Sequence, residues 1–147
     1  MMTQEETSRR DFLCLGAAAA AAACGGCAVL GSRKAAVTTE PRQGVIRLTK
    51  EQSAALLASE GSILVKPKGF RDKILVVHLT DSALYAVSAV CTHKGCTVTY
   101  NEDVGRIDCP CHGSQYALDG SVTQGPAKRP LKRYEVTTEN GQVLIKL

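Results

Sequence analysis

The chain has 147 residues, 44% of them hydrophobic and 22% charged, which is room for one domain of ordinary size and little more. Aromatic residues make up 4% and Trp is missing, so there is no large stacking platform for bases or flat cofactors; a net charge of +4, from 18 basic and 14 acidic residues, is too mild for a nucleic-acid binder. Seven cysteines cannot all pair as disulfides, and they fall into two groups: Cys14, Cys24 and Cys27 near the start, then Cys91, Cys96, Cys109 and Cys111.

The first residues are polar and run into Ser8-Arg9-Arg10-Asp11-Phe12-Leu13, after which no residue from Phe12 to Ser32 is charged. As a helix rising about 1.5 Å per residue, that stretch reaches roughly 30 Å, enough to cross a hydrocarbon core. An arginine pair, an apolar middle with Ala17 to Ala23, and small residues ahead of Arg33 describe an export signal, and the pair resembles the twin-arginine signal of bacteria. Residues 1–32 are therefore expected to be an N-terminal hydrophobic helix, a signal or retained membrane anchor that leaves the rest of the chain on the periplasmic face of the cytoplasmic membrane. Export also permits disulfides downstream. Residues 33–43 show no apolar periodicity and contain one proline, so a polar linker or hinge is expected there.

From residue 44 to 147 the apolar residues come in short runs rich in β-formers, broken by Gly, Pro, Asn and Asp. Strands are predicted over residues 45–48, 63–66, 74–79, 84–87, 134–137 and 143–147. Turns are signalled at Lys68-Gly69, Asp119-Gly120 and Asn140-Gly141, the last between two strand-like runs and so a hairpin. Only residues 49–59 look helical, with Thr49 as N-cap and Ala54, Leu57 and Ala58 on one face. Many short strands and one short helix predict an all-β domain, an antiparallel sandwich or small barrel.

The chemistry is concentrated in Cys91-Thr92-His93-Lys94-Gly95-Cys96 and Cys109-Pro110-Cys111-His112-Gly113-Ser114. Each segment is short enough to be one loop, and each offers thiolate and imidazole donors. Such a donor set suits a tetrahedral zinc or a two-iron cluster. Structural zinc favours Cys-x2-Cys and His-x3-5-His pairings, whereas here a Cys and a His share each loop. That sharing matches a cluster in which one iron takes two thiolates and the other two imidazoles, each loop serving both irons. Elsewhere, His78 lies in an apolar strand and is expected to be packed and hydrogen-bonded. The run Lys128-Arg129-Pro130-Leu131-Lys132-Arg133 suits a solvated face, or less often a docking patch. No phosphate-binding glycine loop or Gly-x-Ser-x-Gly elbow is present, so nucleotide chemistry and hydrolysis have no support.

Cys-Thr-His-x-Gly-Cys followed by Cys-Pro-Cys-His-Gly-Ser-x-Tyr resembles the Rieske iron-sulfur proteins, in particular their quinol-oxidising, cytochrome bc-type branch. Leu84 to Val90 looks like that family's strand into the first loop. Asp119-Gly120 and Gly125 to Leu131 look like its closing strand and proline loop. The resemblance covers residues 44–147 and implies a Rieske-like fold with a [2Fe-2S] cluster. It implies Cys91 and Cys109 on one iron, His93 and His112 on the other, and a disulfide between Cys96 and Cys111 that would stabilise by about 3 kcal/mol. Ser114 and Tyr116 stand where the family places hydroxyl donors to cluster sulfur, which raise the potential. His93 and His112 stand where family imidazoles take the quinol proton as the electron leaves. By the same resemblance the partners are quinol, a membrane cytochrome b and a c-type cytochrome, and the chain is an oxidoreductase subunit, not a stand-alone enzyme. The alternatives within the family are the small subunit of another exported redox enzyme, such as arsenite oxidase, and a ferredoxin-like carrier; oxygenase-linked Rieske domains are cytosolic and lack the loop disulfide, so Cys96, Cys111 and the export signal argue against the carrier.

Overall fold

A computed structural model describes residues 36–147 apart from position 81; the expected signal or anchor helix of residues 1–32 lies outside the described residues. The described elements run in chain order as strands β1 (Val37–Thr39) and β2 (Val45–Arg47), helix α1 (Lys50–Leu57), then β3 (Gly61–Pro67), β4 (Ile74–His78) and β5 (Leu84–Ser88). They continue with β6 (Thr99–Asn101), β7 (Arg106–Asp108), β8 (Gln115–Tyr116), β9 (Val122–Gln124), β10 (Glu135–Glu139) and β11 (Gln142–Lys146). Three sheets result, ordered β1-β3-β4-β5, β10-β11-β2 and β6-β7-β8-β9. The domain is therefore mostly β with one short helix, as expected. Its pairing is antiparallel except at one edge, where β1 runs parallel to β3 with Val37 opposite Val65.

The organising strand is β4, Ile-Leu-Val-Val-His, in which every residue is buried. Side chains alternate across a strand. Ile74 and Val76 accordingly join Ile46, Leu48, Leu56, Val143 and Ile145 in one core, while Leu75 and Val77 join Val87, Ile107, Tyr116 and Leu131 in another. A continuous apolar run is thus a strand covered on both faces, and each fully buried Val or Ile adds about 1.5–3 kcal/mol. The second core contains Cys91 and Cys109, so packing on β4 and β5 reaches directly into the two cysteine loops.

Turn chemistry follows the sequence closely. Asn140 and Gly141 both take positive φ, 49° and 73°, the geometry of a two-residue hairpin between β10 and β11. Thr49 caps α1 through a reciprocal box with Gln52: the Gln52 amide donates to Thr49 Oγ1 at 3.2 Å and the Thr49 amide to Gln52 Oε1 at 2.9 Å. The helix nevertheless turns a different face inward from the one expected. Ser53 and Leu56 are buried, while Ala54 and Ala58 are exposed and Leu57 only half-buried. The reason is a polar anchor, since Ser53 Oγ accepts from the Val143 amide at 3.0 Å and so draws that face onto β11. The expected linker also carries structure, because β1 lies within it and Arg42 bridges to Val45.

The turn at Asp119-Gly120 fixes the approach to the second core. Gly120 has φ +87°, and a Cβ there would lie 2.9 Å from the Leu131 carbonyl oxygen. Its own carbonyl accepts from the Leu131 amide at 2.9 Å, so this contact anchors the segment that follows β9. Gly120→Ala should therefore cost more than the ~1–2 kcal/mol of a left-handed non-glycine residue. Gly69→Ala, at φ +78° with nothing within 4 Å of the added Cβ, should cost only that. Urea unfolding of the two variants checks the difference, and equal losses would show that the approach to Leu131 is not tight.

Candidate metal centre

The two cysteine loops repeat one local design. In the first, the Cys91 amide donates to the Cys96 carbonyl at 2.8 Å and the Gly95 amide to the Cys91 carbonyl at 2.9 Å. In the second, the Cys109 amide donates to the Ser114 carbonyl at 2.8 Å and the Gly113 amide to the Cys109 carbonyl at 3.0 Å. Each loop thus closes on its leading cysteine through the fourth and fifth residues after it. Gly95 and Gly113 take φ of +76° and +74°, which glycine adopts at no steric cost, and this accounts for a glycine at the same offset in both motifs.

This closure turns backbone amides toward the leading sulfur. The amides of His93 and Lys94 act on Cys91 Sγ and those of Cys111 and His112 on Cys109 Sγ, each favouring the thiolate. Both cysteines are free and buried. Burial pushes the Cys91 thiol up, but hydrogen bonds from Tyr116, from the His93 and Lys94 amides and from Cys109 bring it below the ordinary range. Cys109 is held above that range, first by burial and then by the neighbouring Cys91 sulfur, despite its own amide donors.

The imidazoles converge as the thiols do. The rings of His93 and His112 lie 4.8 Å apart between centroids, edge to face at 89°. His93 Nδ1 is buried with no hydrogen-bond partner. A buried ring nitrogen left unpaired is costly unless it binds something, and imidazole nitrogen is a common metal donor. Cys96 and Cys111 form the disulfide implied by the resemblance, with their Cα atoms 6.5 Å apart. Their sulfurs lie within 4.8 Å of Cys109 Sγ, yet as a disulfide they offer no thiolate, which leaves Cys91 and Cys109 as the free thiols of the two loops. Two thiols and two imidazoles, one of each from either loop, fit a two-iron cluster with mixed ligation.

A third segment braces the loops. The Ala127 amide donates to Ser114 Oγ at 3.0 Å, and Thr92 Oγ1 donates to the Arg129 carbonyl at 2.6 Å. Ser114 is fully buried; with its oxygen accepting from Ala127, its hydroxyl proton is left to give. Tyr116 is fully buried too, its hydroxyl 3.2 Å from Cys91 Sγ and from Thr92 Oγ1, while the Thr92 amide donates to it at 3.3 Å. Motif spacing alone does not show the part of Thr92, which lies inside the motif but bonds across to the bracing segment. His78 behaves as expected of a packed histidine, its Nδ1 3.1 Å from the Ser59 carbonyl.

A family model described as the Rieske [2Fe-2S] domain matches residues 51–135. The chain belongs to the Rieske family. Residues 1–31 match a second model, described as the ubiquitinol-cytochrome c reductase Fe-S subunit TAT signal. The Rieske region is similar to the cytochrome b6-f complex iron-sulfur subunit of Chlorobaculum tepidum, 46% identical over 76 residues, spanning 52% of this chain and 41% of that protein. A Synechococcus counterpart is 33% identical over 106 residues, spanning 65% of this chain and 60% of its own length. The chain thus spans less than two thirds of the length of these curated relatives. Among solved structures, the cyanobacterial plasma membrane Rieske protein of Synechocystis is 32% identical at a TM-score of 0.54, covering 59% of this chain and 87% of its own. The ferredoxin of Sphingomonas yanoikuyae is 26% identical at 0.53, covering 60% and 87%. As a Rieske domain, the chain carries a [2Fe-2S] cluster.

Tyr116 supplies a direct test of how the site is tuned. A hydroxyl donor to sulfur favours added negative charge, and a hydrogen bond to a charged group is worth about 1.5–3 kcal/mol, which for one electron is roughly 65–130 mV. Tyr116→Phe should lower the midpoint potential by up to that amount. Ser114→Ala should lower it as well, with shifts that need not add. Potentiometric titration reads both, and an unmoved potential in the two variants would show that neither hydroxyl faces the cluster.

Proposed function

We propose that the protein is a one-electron carrier in a quinol–cytochrome c reductase type complex, taking electrons from quinol beside a membrane cytochrome b and passing them to a c-type cytochrome. The reading is carried by the two loops, each with one thiol and one imidazole, cross-linked by Cys96–Cys111 in a chain whose residues 51–135 match the Rieske model. In this assignment Cys91 and Cys109 hold one iron and His93 and His112 the other. Bound there, a [2Fe-2S] cluster supplies a one-electron couple toward the positive end of about −150 to +300 mV.

The protein's own groups serve that couple in distinct ways. Amides on both thiolate sulfurs and the Tyr116 hydroxyl on one of them stabilise added negative charge. The disulfide keeps the loops from parting at their tips, where Cys111, His112 and Gly113 are exposed. With Nδ1 of His93 buried, Nε2 is the ring nitrogen left to take a hydroxyl proton from quinol. The relatives' part in cytochrome b6-f complexes supports the quinol-oxidising branch, and the match of residues 1–31 to an export signal supports a site at the periplasmic face of the membrane, reached through that segment. Among the described residues no helix is long and apolar enough to cross a membrane, so any anchoring is assigned to residues 1–32.

Purified protein should contain two iron and two acid-labile sulfide per chain, and a soluble quinol analogue should reduce it. Cys109→Ser and His93→Leu should each lose the visible cluster spectrum, because a ligand is removed. One zinc without sulfide would overturn the assignment, and an intact spectrum in either variant would show that the wrong ligand has been named.

A further inference from the structure

The basic run of the bracing segment takes no part in the site described above. Lys94 lies in the first loop beside His93, and Lys128, Arg129, Lys132 and Arg133 follow in the segment that braces both loops. Residues 90–97, 109–117 and 125–131, the two loops and the segment bonded to them, contain Lys94, Lys128 and Arg129 and no Asp or Glu, while Lys132 and Arg133 continue along β5. All five are exposed. Elsewhere four cations have carboxylate partners: Arg47 has Glu139, Lys68 has Glu40, Arg106 has Asp108 and Lys146 has Glu135. Within the run, Arg133 faces Asp119 and Lys132 lies 4.6 Å from the centre of the Tyr134 ring. Lys94, Lys128 and Arg129 have no such counterpart among the described residues. They are tied to the centre by backbone, since Arg129 takes the Thr92 hydroxyl, Ala127 holds Ser114, and Lys94 follows His93 directly.

We propose that this face is a docking surface for a protein redox partner with an acidic surface, an inference that rests on the electron-transfer reading above. Unmatched like charges held together repel, and an array of carboxylates on a partner relieves them. Their position decides the kind of partner. The exposed loop tips are where an electron enters or leaves, and a lipid surface accepts none, so charge gathered around them acts on an electron partner. Complementary charge at such an edge raises encounter rates by about 10 to 1000-fold, falling steeply with salt.

The test is stopped-flow oxidation of the reduced full-length holoprotein by two soluble cytochromes c of similar potential, one acidic and one basic. At low salt the acidic acceptor should react faster, and added salt should erase the difference. Lys128→Gln with Arg129→Gln should slow the acidic acceptor by about tenfold and leave the basic one no slower, with an unchanged cluster spectrum, while Lys66→Gln, outside the three segments, should change neither. Equal rates for both acceptors with an intact spectrum would overturn the docking surface and leave the electron-transfer reading standing. Failure to pass an electron to either acceptor would overturn both. If the double variant altered only the preference for anionic over neutral phospholipid vesicles, the patch would belong to a lipid surface and the proposal would fall.

Discussion

Two irregular loops must each carry a free thiol and an imidazole to the same end of the domain, and the hydrogen bonds that close each loop on its leading cysteine make this possible. Cys91 and Cys109 each donate to the carbonyl five residues on and accept from the glycine amide four residues on. That closure fixes where the following side chains point, and it turns two amides of each loop toward the leading sulfur. A similar frame thus positions a buried thiol and an imidazole in each loop. Gly95 and Gly113 are the residues that permit it, because each stands in left-handed backbone that costs any other residue about 1–2 kcal/mol.

Loops of this kind cannot hold themselves apart from the domain, and three attachments do so. Cys91 and Cys109 are rooted in the core that β4 and β5 build. The disulfide joins the loop tips where packing is thin. The segment after β9 binds one residue from each loop, Thr92 and Ser114, and is itself pinned where Leu131 meets Gly120. Stability and redox tuning therefore share parts. Thr92 Oγ1 spends its proton on Arg129, so its amide and the Tyr116 hydroxyl meet with the phenol proton left for Cys91 Sγ or for Thr92 Oγ1.

The cross-link and the pairing of the two Cys-His segments at one site were legible in the sequence because their chemistry is written in residue type, with a serine and a tyrosine at fixed offsets beside them. The hairpin at Asn140-Gly141 and the cap at Thr49 were legible for a similar reason, each needing a particular residue. The sheet of β6 to β9 was not. Its strands are two or three residues long, too short for any alternation to show, and they are held in register by the loops between them. Strand β1 was hidden by its polar composition, Val-Thr-Thr, in a stretch that reads as linker. The inward face of α1 was misjudged because apolar spacing favoured Ala54, Leu57 and Ala58, whereas a buried hydroxyl, Ser53 to the Val143 amide, set the docking. The bracing of Thr92 and Ser114 runs to backbone groups of residues 127 and 129, which carry no side-chain signature at all.

The central claim is that each loop gives one sulfur and one nitrogen, so that both imidazoles bind the same iron. Electron-nuclear double resonance on the reduced protein, grown with isotopically labelled histidine, tests this most directly. Two distinct histidine nitrogens should couple to the cluster spin, and His112→Cys, if it retains a cluster, should leave only one. A spectrum with no coupled histidine nitrogen, or one unchanged by loss of His112, would contradict the account.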